Sequence, residues 1–374
     1  MKRPLTAIAF CCVSLLILAG CQIKEDGEQP NHDEPALLFT SYAVPSVRAI
    51  AIDSKGGKWI GTENGLFFLD DNNTPKDKTD DTWTTFTTID GLANNWIRAL
   101  AIDMSGAKWI GTYGGGLSYI DDNGTPTDQN DDTWVTFTES DGLDYDYIMS
   151  VAIDAAGGKW IGTGNYMSFL DDKGTPTNKA DDTWTNFTKL DGLADQLVYS
   201  IDFDTSGKKW IGNIGGANFF DDNGTPTSKA DDTWTTFSTA DGLAGPVVGD
   251  IGIDSSNAKW IGTQDGITYL DDHGTPANKT DDTVIVFTMA DGLTYDEPSW
   301  SVVIDLAGNK WLGTVFSSDV CCLNDNGTPT NKTDDIWTIY TPSDGLSGGA
   351  IRSIVIDSSG GKWIGSASGI SYCP

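Results

Sequence analysis

The sequence predicts an all-β fold, a seven-bladed β-propeller with four antiparallel strands in each blade. The first observation is a repeat of about 50 residues, marked each time by Trp-Ile-Gly or Trp-Leu-Gly. The second is that each repeat holds four short strand-like runs separated by turn residues. The third is that the two ends of the chain supply complementary parts of one blade. The marker tryptophans are Trp59, Trp109, Trp160, Trp210, Trp260, Trp311 and Trp363.

The second repeat shows the four runs, which we name strands A to D in chain order. Strand A, residues 97–103, is apolar on both faces, as is typical of a fully buried strand. Strand B covers residues 108–112, strand C residues 117–120 and strand D residues 133–138. Gly- and Asp-rich segments between them predict tight turns. Four antiparallel strands in each of seven repeats indicate a propeller.

The chain ends predict how the ring closes. Residues 36–40 resemble a strand D, and residues 369–373 form a strand C. The N-terminal strand is therefore expected to complete the last blade, which removes the unpaired edges that an open array would leave. The predicted propeller domain covers residues 36–374.

Two residues that recur in every repeat favour a structural role. Asp53 and its six equivalents precede the A–B turn, where an Asp side chain can accept main-chain N–H groups and hold the turn. The marker tryptophans are large enough to fill the space between blades. Seven equivalent copies are typical of a scaffold and not of a catalytic site.

The N-terminus predicts a lipoprotein of the cell envelope. Residues 1–20 combine a short basic start with an apolar stretch too short for a permanent span, as in a signal peptide. This segment runs into Leu-Ala-Gly-Cys, which resembles a bacterial lipobox with Cys21 as the lipidated residue. Residues 21–35 then read as the lipidated Cys and a flexible acidic tether. We expect a lipid anchor at the outer membrane, with exposure at the cell surface as a further expectation.

The net charge argues against two kinds of partner, nucleic acid and an anionic lipid surface. The chain has 54 acidic residues against 23 Lys and Arg, for a net charge of −31. Nucleic-acid binding needs a basic face that neutralises phosphates, and adsorption on anionic lipid needs one too. We therefore expect no nucleic-acid partner, and contact with a membrane through the lipid anchor alone.

The repeat itself resembles a known family. Val-Arg-Ala-Ile-Ala-Ile-Asp at 47–53, Gly-Lys-Trp-Ile-Gly-Thr at 57–62 and Gly-Leu at 65–66 are similar to the two-component regulator propeller repeat. The resemblance covers residues 36–374 and recurs seven times. In that family such propellers commonly form the ligand sensor of a histidine kinase. This sequence shows no kinase domain, so the resemblance implies a propeller that binds a ligand or a partner.

The candidate binding site comes from a position where the repeats differ. Four arginines occur in the chain, and three of them, Arg48, Arg98 and Arg352, are the second residue of strand A in neighbouring blades of a closed ring. Tyr199 and Trp300 occupy the same position elsewhere, with Asp250 beside it. Arginines bind carboxylate or sulfate in a bidentate way, and aromatic faces stack on sugar rings. We predict an anionic glycan or similar ligand at the channel mouth; the alternative is that each Arg pairs with an acid of the next blade.

A second candidate site lies in the loops between strands C and D, which are nearly identical in six repeats and rich in paired Asp. Carboxylate and amide oxygens of this kind are ligands that calcium prefers, although Asp and Asn are also common turn formers. No other cofactor is predicted. The calcium hypothesis is placed on Asp121, Asn123 and Asp132, and on Asp221, Asn223 and Asp232.

The sequence gives little support to catalysis. Its only histidines are His32, in the tether, and His273, in a C–D loop, so no His-based triad is expected. We therefore expect no enzyme. A protein-interaction scaffold at the outer membrane stays as one alternative, and a glycan-cleaving hydrolase or lyase that uses channel carboxylates as another.

The cysteines outside residues 1–21 are Cys321, Cys322 and Cys373. Their spacing fits no metal framework. Two alternatives stay open for them: a disulfide from Cys373 to one of the other two, or buried structural thiols.

Overall fold

The computed structural model describes residues 39–294 and 299–374. They form seven four-stranded antiparallel sheets arranged as the blades of one propeller, so the predicted fold class is confirmed. In the second repeat, strands A to D run over Ile97–Ile102, Lys108–Thr112, Leu117–Asp121 and Thr133–Phe137, each within one or two residues of the predicted bounds. The signal segment, Cys21 and the tether lie outside the described residues.

Strands A line the central channel, and strands B pair with them. The A strands are Val47–Ile52 (β2), Ile97–Ile102 (β6), Ile148–Ile153 (β10), Val198–Phe203 (β14), Val248–Ile253 (β18), Ser299–Ile304 (β22) and Ile351–Ile356 (β26). The B strands are Lys58–Thr62 (β3), Lys108–Thr112 (β7), Lys159–Thr163 (β11), Lys209–Asn213 (β15), Lys259–Thr263 (β19), Lys310–Thr314 (β23) and Lys362–Ser366 (β27).

Strands C and D form the outer half of each blade. The C strands are Gly65–Asp70 (β4), Leu117–Asp121 (β8), Met167–Asp171 (β12), Gly216–Asp221 (β16), Gly266–Asp271 (β20), Val320–Asn324 (β24) and Ile370–Cys373 (β28). The D strands are Thr82–Phe86 (β5), Thr133–Phe137 (β9), Thr183–Phe187 (β13), Thr233–Phe237 (β17), Thr283–Phe287 (β21), Ile336–Tyr340 (β25) and, in the last blade, Thr40–Tyr42 (β1).

Within residues 39–294 and 299–374, helix is limited to short 3-10 turns. These are Glu139–Asp141, Thr239–Asp241, Lys332–Asp334 and Pro342–Asp344. Nowhere in the described part of the chain does a helix reach the length and apolar character needed to cross a membrane.

The N-terminal strand closes the ring as predicted, but over different residues. Strand β1 begins at Thr40 and pairs antiparallel with β28, with Tyr42 opposite Ile370. The apolar run that ends at Phe39 suggested residues 36–40. The strand lies further along because Tyr42 takes the place of the last aromatic of strand D, stacked on Trp363 at 5.9 Å between ring centroids. Phe86 holds the same place against Trp59 at 5.6 Å.

Each marker tryptophan joins its blade to the next one. Trp59 is fully buried and carries the ammonium group of Lys108, from the following blade, 4.0 Å from its ring centroid. All seven tryptophans have such a lysine neighbour. The glycine of the motif is required because a Cβ on Gly61 would lie 2.5 Å from Ile97 of the next blade. The Trp-Ile-Gly motif therefore marks the surfaces between blades.

The recurring Asp holds the A–B turn, as predicted. One oxygen of Asp53 accepts the main-chain N–H groups of Lys55 and Gly57, both at 2.9 Å. Its other oxygen accepts the indole N–H of Trp59 at 3.1 Å. The Trp-to-Asp hydrogen bond recurs in every blade except that of Trp210. These aspartates are therefore structural.

Two of the three cysteines are resolved in favour of the structural alternative. Cys321 and Cys322 are free, buried thiols in β24, so neither forms a disulfide with Cys373. Burial raises the pKa of the Cys322 thiol to about 12, which keeps it protonated and unreactive.

Candidate functional site

A β-bulge near the start of every strand A sets the geometry of the channel mouth. In β2 the pairing with β3 shifts between Val47 and Ala49, and the same shift occurs in all seven blades. The residue left over at the bulge is the second residue of the strand, which in β2 is Arg48. A bulge redirects a side chain out of the normal alternation of a strand. Five of the six candidate residues hold this bulge position, and Asp250 is the residue that follows it in β18.

The bulge residues converge on one cavity of about 410 Å³ at the channel mouth. Arg48, Arg98 and Arg352 all line this cavity, so the structure brings the three arginines together at the channel mouth. Trp300 holds the equivalent backbone position in β22, but its side chain is outside the described part of the structure. The cavity is lined by Arg48, Arg98, Met149, Tyr199, Gly249, Asp250, Val315, Phe316 and Arg352.

Arg48 is an ion-paired arginine. Its guanidinium contacts the Glu63 carboxylate, with Nε at 3.1 Å from Oε1 and Nη2 in a second contact to the same oxygen. The hydrogen bond from Arg48 is the largest influence on Glu63 and holds its pKa below the usual range. Glu63 follows strand B of the same blade, so the pairing is within a blade and not between neighbours.

Arg98 and Arg352 differ from Arg48. Among the described residues neither has a carboxylate within ion-pair distance. Arg98 lies 5.7 Å from the Tyr147 ring centroid, and its Nη2 is 3.6 Å from the Met149 sulfur. Burial, together with the positive charges of the neighbouring arginines, lowers the pKa of both guanidinium groups. Two partly buried cations that form no ion pair with a described residue attract an anion to the mouth.

An aromatic ladder stands beside the arginines. The Trp96 and Tyr113 rings stack with centroids 4.2 Å apart, and Tyr113 contacts Tyr147 at the same separation. Arg48 lies 5.8 Å from the centroid of Trp96. Phe316, on the opposite side of the cavity, is 71% exposed. The mouth thus combines cationic groups with flat apolar surfaces, a combination suited to an anionic ligand with ring-shaped parts.

Two carboxyl groups lie in neighbouring strands of the channel. Asp250 lines the cavity, and its Oδ2 accepts the main-chain N–H of Val302 in the next blade at 2.7 Å. Asp202 lies in the preceding blade, and its Oδ2 has no hydrogen-bond partner in the described structure. Enclosure by protein raises the pKa of Asp250 to about 6. Enclosure and the charge of Asp250 raise the pKa of Asp202 well above its usual range. The pair can hold a proton near neutral pH.

The loops of the calcium hypothesis lie on the opposite face of the disc. Asp121 accepts the main-chain N–H of Asn123 at 3.0 Å, and the Asn123 side chain donates to the Asp131 carbonyl at 2.6 Å. Both oxygens of Asp132 are buried without a hydrogen-bond donor. Burial and the neighbouring carboxylates raise the pKa of Asp132 to about 6.

The fourth repeat has the same arrangement. Asp221 accepts from the N–H of Asn223 at 2.9 Å, Asn223 donates to the Asp231 carbonyl, and both oxygens of Asp232 are without a donor. Across residues 39–294 and 299–374, no three metal-ligating side chains of His, Cys, Asp or Glu gather in a geometry that would hold a metal ion.

Solved structures share this architecture, while no family model and no curated protein matches the sequence. The extracellular domain of the hybrid two-component system BT3049 from B. thetaiotaomicron is 19% identical with a TM-score of 0.67, over 90% of this chain and 41% of that one. The corresponding domain of BT4673 is 17% identical with a TM-score of 0.65, over 89% and 42%. This chain thus spans about two fifths of each.

The resemblance to two-component sensor propellers is confirmed at the level of the fold. A second kind of protein shares the same fold. Virginiamycin B lyase from Staphylococcus aureus, in a catalytically inactive histidine variant with quinupristin, is 13% identical with a TM-score of 0.62, over 89% of this chain and 98% of that one. In this chain His273 lies in a C–D loop on the face opposite the channel mouth, and His32 is outside the described residues.

Sequence reasoning missed several residues of the mouth. Glu63, Trp96, Tyr147 and Phe316 were not among the predicted site residues. Glu63 had a usable signal, since only three Glu occur in residues 36–374 and this one follows a Trp-Ile-Gly-Thr. The aromatic ladder had a weaker signal: its members lie in D–A and B–C loops that differ between repeats, but only the closed ring brings them together.

Proposed function

We propose that this propeller is a ligand-binding module of the cell envelope, held by a lipid at Cys21, that captures an anionic glycan at the channel mouth. The fold it shares with extracellular sensor domains supports a sensor-like role. The observation that carries the proposal is the pair Arg98 and Arg352, two partly buried guanidinium groups in one cavity that form no ion pair with any described residue.

A bound carboxylate or sulfate would satisfy both groups at once. Charge-assisted hydrogen bonds to guanidinium are among the stronger polar contacts, and enclosure from water increases them. Glu63 already occupies Arg48, so Arg48 contributes less to the ligand and more to the shape of the site. Tyr199 and the aromatic ladder supply faces for sugar rings next to the anionic group.

The test is to measure the binding of acidic and neutral polysaccharides to the full chain, through the shift in melting temperature and through titration calorimetry. We expect binding of acidic polymers alone, and a loss of at least about tenfold in affinity for Arg98→Ala or Arg352→Ala, since a charged hydrogen bond contributes about 1.5–3 kcal/mol. Lys76→Ala is the matched control, because it removes one exposed positive charge on the opposite face. Equal loss in the control, or binding of neutral polymers alone, contradicts the proposal.

The Asp202–Asp250 pair favours a second candidate, a glycan-cleaving hydrolase or lyase. A carboxyl group with a pKa of about 6 is suited to general acid or base chemistry, and Asp250 lines the cavity that would hold the ligand. Release of shortened products from a bound polymer, abolished by Asp250→Asn, would support the enzyme. Binding without products supports capture. Failure to bind any polymer, with co-purification of an envelope protein, would support the scaffold alternative.

A further inference from the structure

The strongest feature outside the channel mouth is a set of carboxylates in the C–D loops, the six segments that connect strand C to strand D within a blade. In each loop one oxygen or more of the last Asp is buried and receives no hydrogen bond. Both oxygens are in this state in four of the loops, at Asp132, Asp182, Asp232 and Asp335, and one oxygen at Asp81 and Asp282. The same unpaired carboxylate thus recurs in all six loops, so it is a property of the repeated loop and not of one blade.

The loop of the third blade shows the arrangement in detail. Asp172 is only 3% exposed. Its Oδ1 binds the ammonium group of Lys159 at 2.6 Å, and its Oδ2 has no partner. Asp172 and Asp182 flank one cross-strand pair, because Asp171 lies opposite Thr183 where strands C and D of this blade end and begin. The unpartnered oxygens of two buried carboxylates thus lie in the same small region. The first blade repeats this with Asp71, which is 1% exposed, and Asp81.

The positive charges of this loop are already used. Lys159 pairs with Asp172, and Lys173 pairs with Asp171. Lys179 extends to Asp141 of the preceding blade at 2.9 Å. None of the three lysines is thus left to pair with Asp182. Burying an anionic oxygen without a hydrogen-bond donor or a cation costs free energy, and such oxygens in folded proteins normally have a partner.

We propose that each C–D loop binds one divalent cation, calcium in the first place, between the last Asp of the loop and the buried Asp that follows strand C. For the third blade these are Asp182 and Asp172, and for the second blade Asp132 and Asp122. Oxygen donors select hard cations, and these loops contain no Cys and one His, His273, so zinc is disfavoured.

The proposed site uses a different ligand set from the one expected from the sequence. Asp121 and Asn123 hold the turn through hydrogen bonds within the loop, so they shape the site without occupying a place on the cation. Two carboxylates are fewer than a tight calcium site uses, which agrees with the lack of any three-acid metal cluster in the described part of the chain. Main-chain carbonyl and water oxygens must complete the shell. We therefore expect dissociation constants of about 10⁻⁴–10⁻³ M, the range of extracellular calcium modules.

The test is equilibrium dialysis of the full chain against calcium, with the melting temperature measured in parallel. We expect up to six calcium ions per chain, one for each C–D loop, and a melting temperature that rises with calcium and falls with a chelator. The triple variant D132N/D182N/D232N removes one carboxylate from three loops and should lower the bound calcium by half. Asp128→Asn is the matched control, since it removes a fully exposed acid from one of the same loops and should leave the stoichiometry unchanged.

Two results would overturn the proposal. One is no bound calcium and no change in melting temperature at about 10 mM, ten times the weak end of the expected range. The other is binding that the triple variant does not reduce although it remains folded by circular dichroism. If the triple variant fails to fold, the calcium and chelator measurements on the wild type still decide. This result is independent of the channel mouth, because the two sites lie on opposite faces.

Discussion

The lysines between the blades give a quantitative test of how the ring is held together. Lys108 is 2% exposed, its Nζ lies 2.7 Å from the Asp122 carboxylate, and it lies 4.0 Å from the Trp59 ring centroid. Removing one partner of a buried ion pair leaves an uncompensated charge and costs about 3–5 kcal/mol. We expect Lys108→Ala to lower the free energy of unfolding by this amount.

The chain contains its own matched control. Lys362 is 4% exposed and lies 5.2 Å from the Trp311 ring centroid, but no described carboxylate lies within ion-pair distance of it. Lys362→Ala thus removes the same packing and cation–π contact without leaving a buried acid. Its expected cost is about 1–2 kcal/mol, from the cation–π contact and the lost aliphatic packing.

The assay is urea unfolding followed by tryptophan fluorescence, with excess chelator so that no bound cation stabilises Asp122. The chain has 14 Trp, so the signal is strong. A cost for Lys108→Ala at least 1 kcal/mol above that of Lys362→Ala, on the order of the penalty for an unpaired buried charge, supports the reasoning. Equal costs would show that the lysines act by packing alone.

Two further predictions concern ring closure and pH. Tyr42→Ala should lower the free energy of unfolding by about 3–5 kcal/mol, because it empties the aromatic position on Trp363 that closes the ring. Tyr42→Phe should lower it by about 1 kcal/mol, from the lost hydrogen bond to the Pro75 carbonyl. Thermal unfolding measures both, and similar losses for the two variants would refute the stacking argument. The pKa of Asp202 is raised in the folded protein, so between that pKa and the ordinary value of about 4 the folded state binds more protons than the unfolded state. The free energy of unfolding therefore increases as the pH falls through this range. Asp202→Asn should therefore stabilise the protein most at pH 7.5 and progressively less toward pH 5 by calorimetry, and a pH-independent difference would contradict this.

The fold was accessible from the sequence because its determinants are local and repeated. The period of Trp-Ile-Gly, the alternation of each strand and the Asp that holds each A–B turn all depend on residues within one blade. The position of the arginines on one ring followed from the same period, since equivalent positions in a closed repeat lie side by side. The exact place of β1 did not follow, because Tyr42 is fixed by stacking on Trp363, a contact between the two ends of the chain.

Pairing and enclosure were decided by the tertiary structure alone. The sequence offers Glu63 as one candidate partner for Arg48, but only the structure shows that Arg48 binds Glu63 while Arg98 and Arg352 form no ion pair with a described acid. The bulges that direct these side chains into the channel leave no mark in the sequence. Likewise, the sequence of the Asp-rich loops is compatible with turns or with calcium ligands. Only the folded structure shows which of their carboxylate oxygens are buried and receive no hydrogen bond. The sequence by itself thus determined the seven blades and the ring, since both arise from contacts repeated along the chain. The tertiary structure decided which charges stay unpaired, because that depends on distances between blades far apart in the sequence.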